Sequence, residues 1–177
     1  MEPKYWLTPH WPPYEWRNTV TGETICDTLH DEWFYWLYLT ERFKRLGEEI
    51  RAGDGIFIYE TEGRSYLEGE EVRQGVSQQW RGRRLKMGEK GIVALVWAIG
   101  TLENNPERGV IKDPEDAKSW DFQYIVKTKR DKLPGKPVPL STVCQCLGYK
   151  PGWAPQNQLM RLTEEQWDCI LRAFRAR

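Results

Sequence analysis

Two stretches, Ile56-Phe-Ile-Tyr-Glu-Thr61 and Gly91-Ile-Val-Ala-Leu-Val-Trp-Ala-Ile-Gly-Thr-Leu102, decide how the rest of this 177-residue chain is read. The first follows a Gly53-Asp54-Gly55 break and is short, β-branched and aromatic, which reads as a strand. The second is the most hydrophobic run in the chain and reads as a central strand buried on both faces. Outward from these, Lys4–Thr8 reads as a short aromatic strand ended by Pro9-His10-Trp11-Pro12-Pro13. Trp120–Lys129 (WDFQYIVKTK) alternates, as a strand with one buried face does. Asp31–Leu39 (DEWFYWLYL) is apolar almost all round, and Thr40–Arg51 spaces Phe43, Leu46 and Ile50 amphipathically; both read as helical. Leu140–Leu147 suits a short helix, and Thr163-Glu-Glu-Gln166 is a capping box that opens a helix through Phe174. Leu162, Trp167, Ile170, Leu171 and Phe174 give that helix one apolar face, so Trp167 belongs to the core. About five or six strands with two or three helices, and no βαβ rhythm, predict an α+β domain: a curled β-barrel with flanking helices.

The length fits one domain over residues 1–177, interrupted at about 62–90 by a polar, Gly-rich and doubly charged stretch that reads as a long loop or frayed hairpin. Lys and Arg total 26 against 26 Asp and Glu, so attraction to a polyanion has to come from local clustering. Ten Trp is far above ordinary usage; since each buried indole N–H wants a partner, the surplus points to a surface that stacks on flat ligands. Cys26, Cys144, Cys146 and Cys169 match no zinc spacing, and only His10 and His30 could help, so no metal or other cofactor is expected and the thiols read as reduced. The N-terminal segment lacks a basic start and apolar run, and no stretch approaches the roughly 20 apolar residues that span a bilayer. The expectation is a cytoplasmic protein with no membrane partner.

The order of segments resembles the EVE family, a branch of the PUA-like barrels that also includes the YTH and ASCH domains. The resemblance rests on Tyr5-Trp6-Leu7 with Pro9 and Trp16 beyond it, on Ile50-Arg-Ala-Gly53-Asp54 feeding Ile56–Tyr59, and on the strand Gly91–Ile99. It continues through Trp120–Lys127, Pro137-Val-Pro-Leu140, Leu159-Met-Arg-Leu162 and Thr163-Glu-Glu-Gln-Trp167. Where the family usually carries a "GVRN" stretch this chain has Glu32-Trp33-Phe-Tyr-Trp36, and its 62–90 insertion is longer. The resemblance implies a PUA-like, non-catalytic module that binds nucleic acid, DNA before RNA, and takes a modified base, flipped from a duplex, into an aromatic pocket. Domains of this kind also serve as N-terminal readers in modification-dependent restriction systems. That implies effector domains, nuclease or NTPase, in a longer protein or a partner chain. The ASCH branch implies the rival: a small hydrolase of modified nucleosides, for which Thr61, Glu89 and Lys90 are the candidates.

Three groups of residues carry these expectations. The base pocket draws on Trp33 and Trp36, three apart and so on one face of a helix, with Trp6, Tyr59, Trp80 and Trp97, and with Thr8 and His10 at its mouth. Stacking on such rings is worth about 1–3 kcal/mol per base, whatever the base. For Trp33 and Trp36 core and site readings stand level; Trp97, mid-strand, leans to core and Trp80, in a polar segment, to site. Arg81, Arg83, Arg84 and Lys86 surround Trp80, which suits a flexible arm on the phosphate backbone. Asn18, Gln156, Asn157 and Gln158 carry amides able to read a base edge, although each alone is an ordinary turn residue. No catalytic triad, phosphate loop or metal box is visible.

Overall fold

The computed structural model describes residues 2–10, 14–18, 20–22, 24–26, 34–62, 80–84, 88–106, 122–131, 135–150 and 159–177. In chain order the elements are β1 (Tyr5–His10), β2 (Tyr14–Asn18), β3 (Thr24–Cys26), β4 (Phe34–Thr40), a 3-10 turn (Glu41–Phe43), α1 (Lys44–Gly47), β5 (Gly55–Glu60) and β6 (Trp80–Arg84). They continue with β7 (Gly91–Ala98), β8 (Glu103–Asn104), β9 (Phe122–Arg130), β10 (Val138–Pro139), α2 (Leu140–Leu147), β11 (Met160–Leu162) and α3 (Glu164–Arg175). One sheet runs β11-β1-β5-β7-β9-β4, with β10 beside β7 and β8 beside β9; β3-β2-β6 form a second, three-stranded ribbon. β1 and β5 pair parallel, from Tyr5↔Gly55 to His10↔Glu60. β9 meets β7 only from Val96↔Arg130 to Ala98↔Thr128, yet pairs with β4 from Phe34↔Lys129 to Thr40↔Phe122. That stagger, with a one-residue slip between β5 and β7 after Ile58, curls the sheet into a half-barrel. The α+β class and the curled sheet are as expected from sequence; the strands outnumber the expected five or six because β2, β3, β6, β8, β10 and β11 fall in stretches that read as connections.

Strand alternation builds two cores. Trp6, Ile56, Ile58, Leu37, Leu39, Val96 and Val126 face the inside of the half-barrel. Leu7, Phe57, Leu95 and Ile92 face the other way, under Val143 and Leu147 of α2 and Trp167, Ile170 and Phe174 of α3. Trp167 stacks on Tyr5 at 4.4 Å between ring centroids and lies 4.2 Å from Phe57. Its ring occupies the space where a side chain at Gly55 would stand, so this position of β5 has to be glycine. The capping box forms as expected: the Thr163 hydroxyl accepts from Gln166 N at 3.3 Å and Gln166 Oε1 accepts from Thr163 N at 3.0 Å.

Several expectations are corrected. Phe34–Thr40 is a strand, not a helix: Leu37 and Leu39 are buried while Trp36 and Tyr38 are half-buried, a period of two that an all-apolar run conceals. Between Thr40 and Arg51 only the 3-10 turn and the single turn of α1 are helical. Pro9 lies inside β1. Lys4 and His10 direct their carbonyls to β5, so the odd-numbered backbone groups face β11, whose pairing stops at Leu7; no ladder bond is asked of Pro9. Trp80–Arg84, expected as a flexible arm, is a strand because β2 offers it a partner. Finally, Cys146 and Cys169, expected as thiols, form a disulfide that joins α2 to α3, a juxtaposition 23 residues apart that spacing alone does not signal.

Candidate functional site

Among the described residues, four of the five buried polar or charged ones, Thr8, Glu60, Thr128 and Arg130, lie on the inward face of the half-barrel. The parity follows from their neighbours. Thr8 and His10 are two and four residues beyond Trp6, Glu60 two beyond Ile58, and Thr128 and Arg130 two and four beyond Val126. Glu60 on β5 stands opposite Gly91 and Arg130 on β9 stands opposite Val96, so the two lie at different levels of β7 on the same inner wall. The fifth buried polar residue, Asp54, is structural: it accepts from Lys4 N, from Trp6 Nε1 and from Arg51 N.

One end of the sheet gathers the chain's excursions. β1 ends at His10, β5 at Glu60, and β7 starts beside Glu60 at Gly91. Thr61 N donates to His10 O at 2.9 Å, Gly88 N to Glu62 O at 3.1 Å, and Glu89 N to the Glu60 carboxylate at 3.0 Å. Lys90 pairs with Glu62 at 2.6 Å and holds φ at +46°, a left-handed conformation unusual for a lysine. The stretch from Glu62 to Gly88 therefore leaves and returns at one point. β2 starts four residues after His10, and β6 ends four residues before Gly88, so each is tethered within about 14 Å of this end. The ribbon register is Tyr14↔Arg84, Glu15↔Arg83, Trp16↔Gly82, Arg17↔Arg81 and Asn18↔Trp80. Positions 80 and 84 thus share one ribbon face with 14, 16 and 18, and positions 81 and 83 share the other with 15 and 17.

Among the described side chains, the expected aromatics Trp6, Tyr59, Trp97 and Trp36 stand on different faces of the sheet. Trp6 is fully buried in the inner core. Tyr59 and Trp97 face the helices, on the opposite side of the sheet. Burial pushes the Tyr59 phenol up to about 12, with Cys144 and Glu62 acting in the same direction. Trp97 donates to Asp131 at 3.0 Å and meets Trp167 edge-on at 6.0 Å. Trp36 is half-buried on the outer face of β4, 6.4 Å from Tyr38, with Lys127 Nζ 6.0 Å from its ring centre. Its strand placement removes the helical spacing that linked it to Trp33. Thr8 and His10 do stand together at the end where the excursions leave, while Asn18 and Trp80 are partners in the β2–β6 register. Trp33, Lys86, Gln156, Asn157 and Gln158 lie outside the described residues. Glu60, Thr128 and Arg130 were missed, although the alternation in IFIYET and FQYIVKTKR puts each on the parity of a core residue. Among the described residues no three His, Cys, Asp or Glu side chains converge on a metal position.

This architecture, a curled half-barrel of mixed strands with helices on one side, is a PUA-like fold. Three solved structures share it over nearly their whole length. A hypothetical protein from Leishmania major has TM-score 0.58 at 10% identity, covering 99% of this chain and 96% of its own. Human THYN1 protein in complex with 5-methylcytosine containing DNA has TM-score 0.58 at 12% identity, covering 96% of each chain. The DUF55 domain of human thymocyte nuclear protein 1 has TM-score 0.53 at 14% identity, covering 95% of this chain and 96% of its own. No family profile and no curated protein sequence matches the chain.

Proposed function

We propose that this chain is a non-catalytic nucleic-acid-binding module that takes a modified base, first of all in DNA, at the sheet end marked by His10, Glu60 and Gly91. The observation that carries the reading is that two unlike surfaces are joined by short tethers at that end. One is an inner wall that turns polar at Thr8, His10 and Glu60; the other is a tethered ribbon strand bearing Trp80, Arg81, Arg83 and Arg84. A base needs hydrogen-bond partners and a stacking ring, and its backbone needs cations; these residue types supply each. Flipping a base from a duplex costs a few kcal/mol, which the ring and the phosphate contacts have to offset. The shared fold with a human protein crystallised on 5-methylcytosine containing DNA supports the choice of ligand.

The test is binding to matched short DNA and RNA strands and duplexes, unmodified or carrying methylated adenine, methylated cytosine or hydroxymethylated cytosine. Trp80→Ala and Glu60→Gln are run beside the parent, with folding checked. Preference for one modified DNA, lost in a folded variant, supports the reading; a folded parent that binds no member of the panel sinks it. A second reading is favoured by one observation: Thr61, Glu89 and Lys90, the hydrolase candidates, do converge around Glu60 and Glu62. Turnover of acetylated cytidine by the parent, abolished in Lys90→Ala, would establish that reading instead.

A further inference from the structure

The ribbon register sets arginine positions of two strands opposite each other. Arg17 of β2 stands directly across from Arg81 of β6. Residues so opposed have Cβ atoms about 4.5–5.5 Å apart, and like charges there weaken the pairing. The neighbouring pair on the same face, Glu15↔Arg83, contributes one carboxylate to three arginines. On its other side β2 meets β3, which places Thr24 opposite Arg17 and Cys26 opposite Glu15, so no further carboxylate comes from there. Arg17 and Thr24 are both exposed, which marks this as a solvent-facing side of the ribbon. A short ribbon whose register groups positions 17, 81 and 83, all arginine, on the side where Arg17 is exposed is suited to a ligand bearing closely spaced negative charges.

We propose that Arg17, with Arg81 across from it and Arg83 beside it, forms a ladder that grips the phosphate backbone of a duplex. The inference rests on the nucleic-acid-binding reading above and adds to it a residue from a different strand. A phosphate contact positions the duplex without reading its sequence. Loss of Arg17 therefore weakens unmodified and modified DNA by the same factor, which separates it from a base-reading residue.

The experiment is anisotropy with a short DNA duplex, unmodified or carrying 5-methylcytosine, across a salt series, on the parent, Arg17→Gln and Arg17→Lys. Each neutralised phosphate contributes about 0.9 to the slope of log affinity against log salt. Arg17→Gln is expected to lower that slope by about this amount for both duplexes, and Arg17→Lys to restore it. Because the substitution removes a like-charge opposition, thermal unfolding of Arg17→Gln is expected at or above the parent's temperature, so weaker binding is not a folding defect. A parent that binds with a slope unchanged in Arg17→Gln overturns this inference alone; a parent with no salt-dependent binding to either duplex overturns the proposed function with it.

Discussion

Removing the carboxylate of Asp54 tests how the inner wall is held in register with the entrance to β5. The side chain is 2% exposed and accepts three N–H groups: Lys4 N at 2.8 Å on one oxygen, and Trp6 Nε1 at 3.1 Å and Arg51 N at 3.0 Å on the other. Asp54→Ala leaves all three donors without that acceptor. An unsatisfied buried donor costs about 1–3 kcal/mol, and of the three only the indole bond is fully buried, so the sum is about 4 kcal/mol. Asp54→Asn can keep the carbonyl on the Trp6 and Arg51 side, but it turns its NH2 toward Lys4 N, a loss of about 2 kcal/mol. Urea denaturation followed by tryptophan fluorescence should rank parent, Asn and Ala in that order with unchanged denaturant sensitivity. For a chain of this size the Ala variant should melt about 12 °C lower, taking roughly 3 °C per kcal/mol. Because Trp6 shares β1 and the inward face with Thr8 and His10, base preference should suffer in the Asn variant even where it remains folded. An Ala variant within about 1 kcal/mol of the parent, or an Asn variant as damaged as the Ala, would refute the reasoning.

Three further outcomes follow from the same geometry. Reducing Cys146–Cys169, or Cys169→Ala, should cost about 3 kcal/mol through the freed loop, measured by denaturation with and without reductant; Cys144→Ala, outside the disulfide, should leave that difference between reduced and oxidised protein in place. Tyr59 keeps its proton in the folded state up to about 12, whereas the unfolded chain loses it near 10, so stability is present below pH 10 and falls as pH rises from about 10 to about 12. Tyr59→Phe should flatten that decline in denaturation series at alkaline pH; Tyr5, raised chiefly by burial, leaves a residue of it. Gly91→Ala should destabilise by about 2–3 kcal/mol, because a side chain there meets the Val138 carbonyl of β10, which is backbone and has to move; a melting temperature equal to the parent's would show that β10 yields freely.

What was legible in the sequence divides along a physical line. Gly55–Glu60 and Gly91–Ala98 were recognised because strands buried on both faces are continuously apolar and bounded by breakers. Phe34–Thr40 is as apolar but reads as helical. Its inward Leu37 and Leu39 and its outward Trp36 and Tyr38 are all hydrophobic, so neither period shows. The ribbon fails for the opposite reason: Trp80–Arg84 is rich in arginine, and a charged strand looks like a loop until its partner is known.

The tryptophan surplus is accounted for only in part by the described side chains. It was read as a stacking surface on the ground that buried indoles need partners, and two of them have partners: Asp54 for Trp6 and Asp131 for Trp97, each a carboxylate 3.0–3.1 Å from the indole nitrogen. A chain that sets carboxylates to receive indoles can bury more of them than composition suggests. The better signal for a site was the converse one, a polar residue on the parity of core residues. Glu60 follows Ile58, and Thr128 and Arg130 follow Val126, on strands whose other inward residues are apolar. Glu60 accepts from Glu89 N at 3.0 Å, so its burial is offset within the fold and its parity is what singles it out. The proposed site is therefore drawn first from polar residues on the inner wall and charged positions on the ribbon, and only then from aromatic rings.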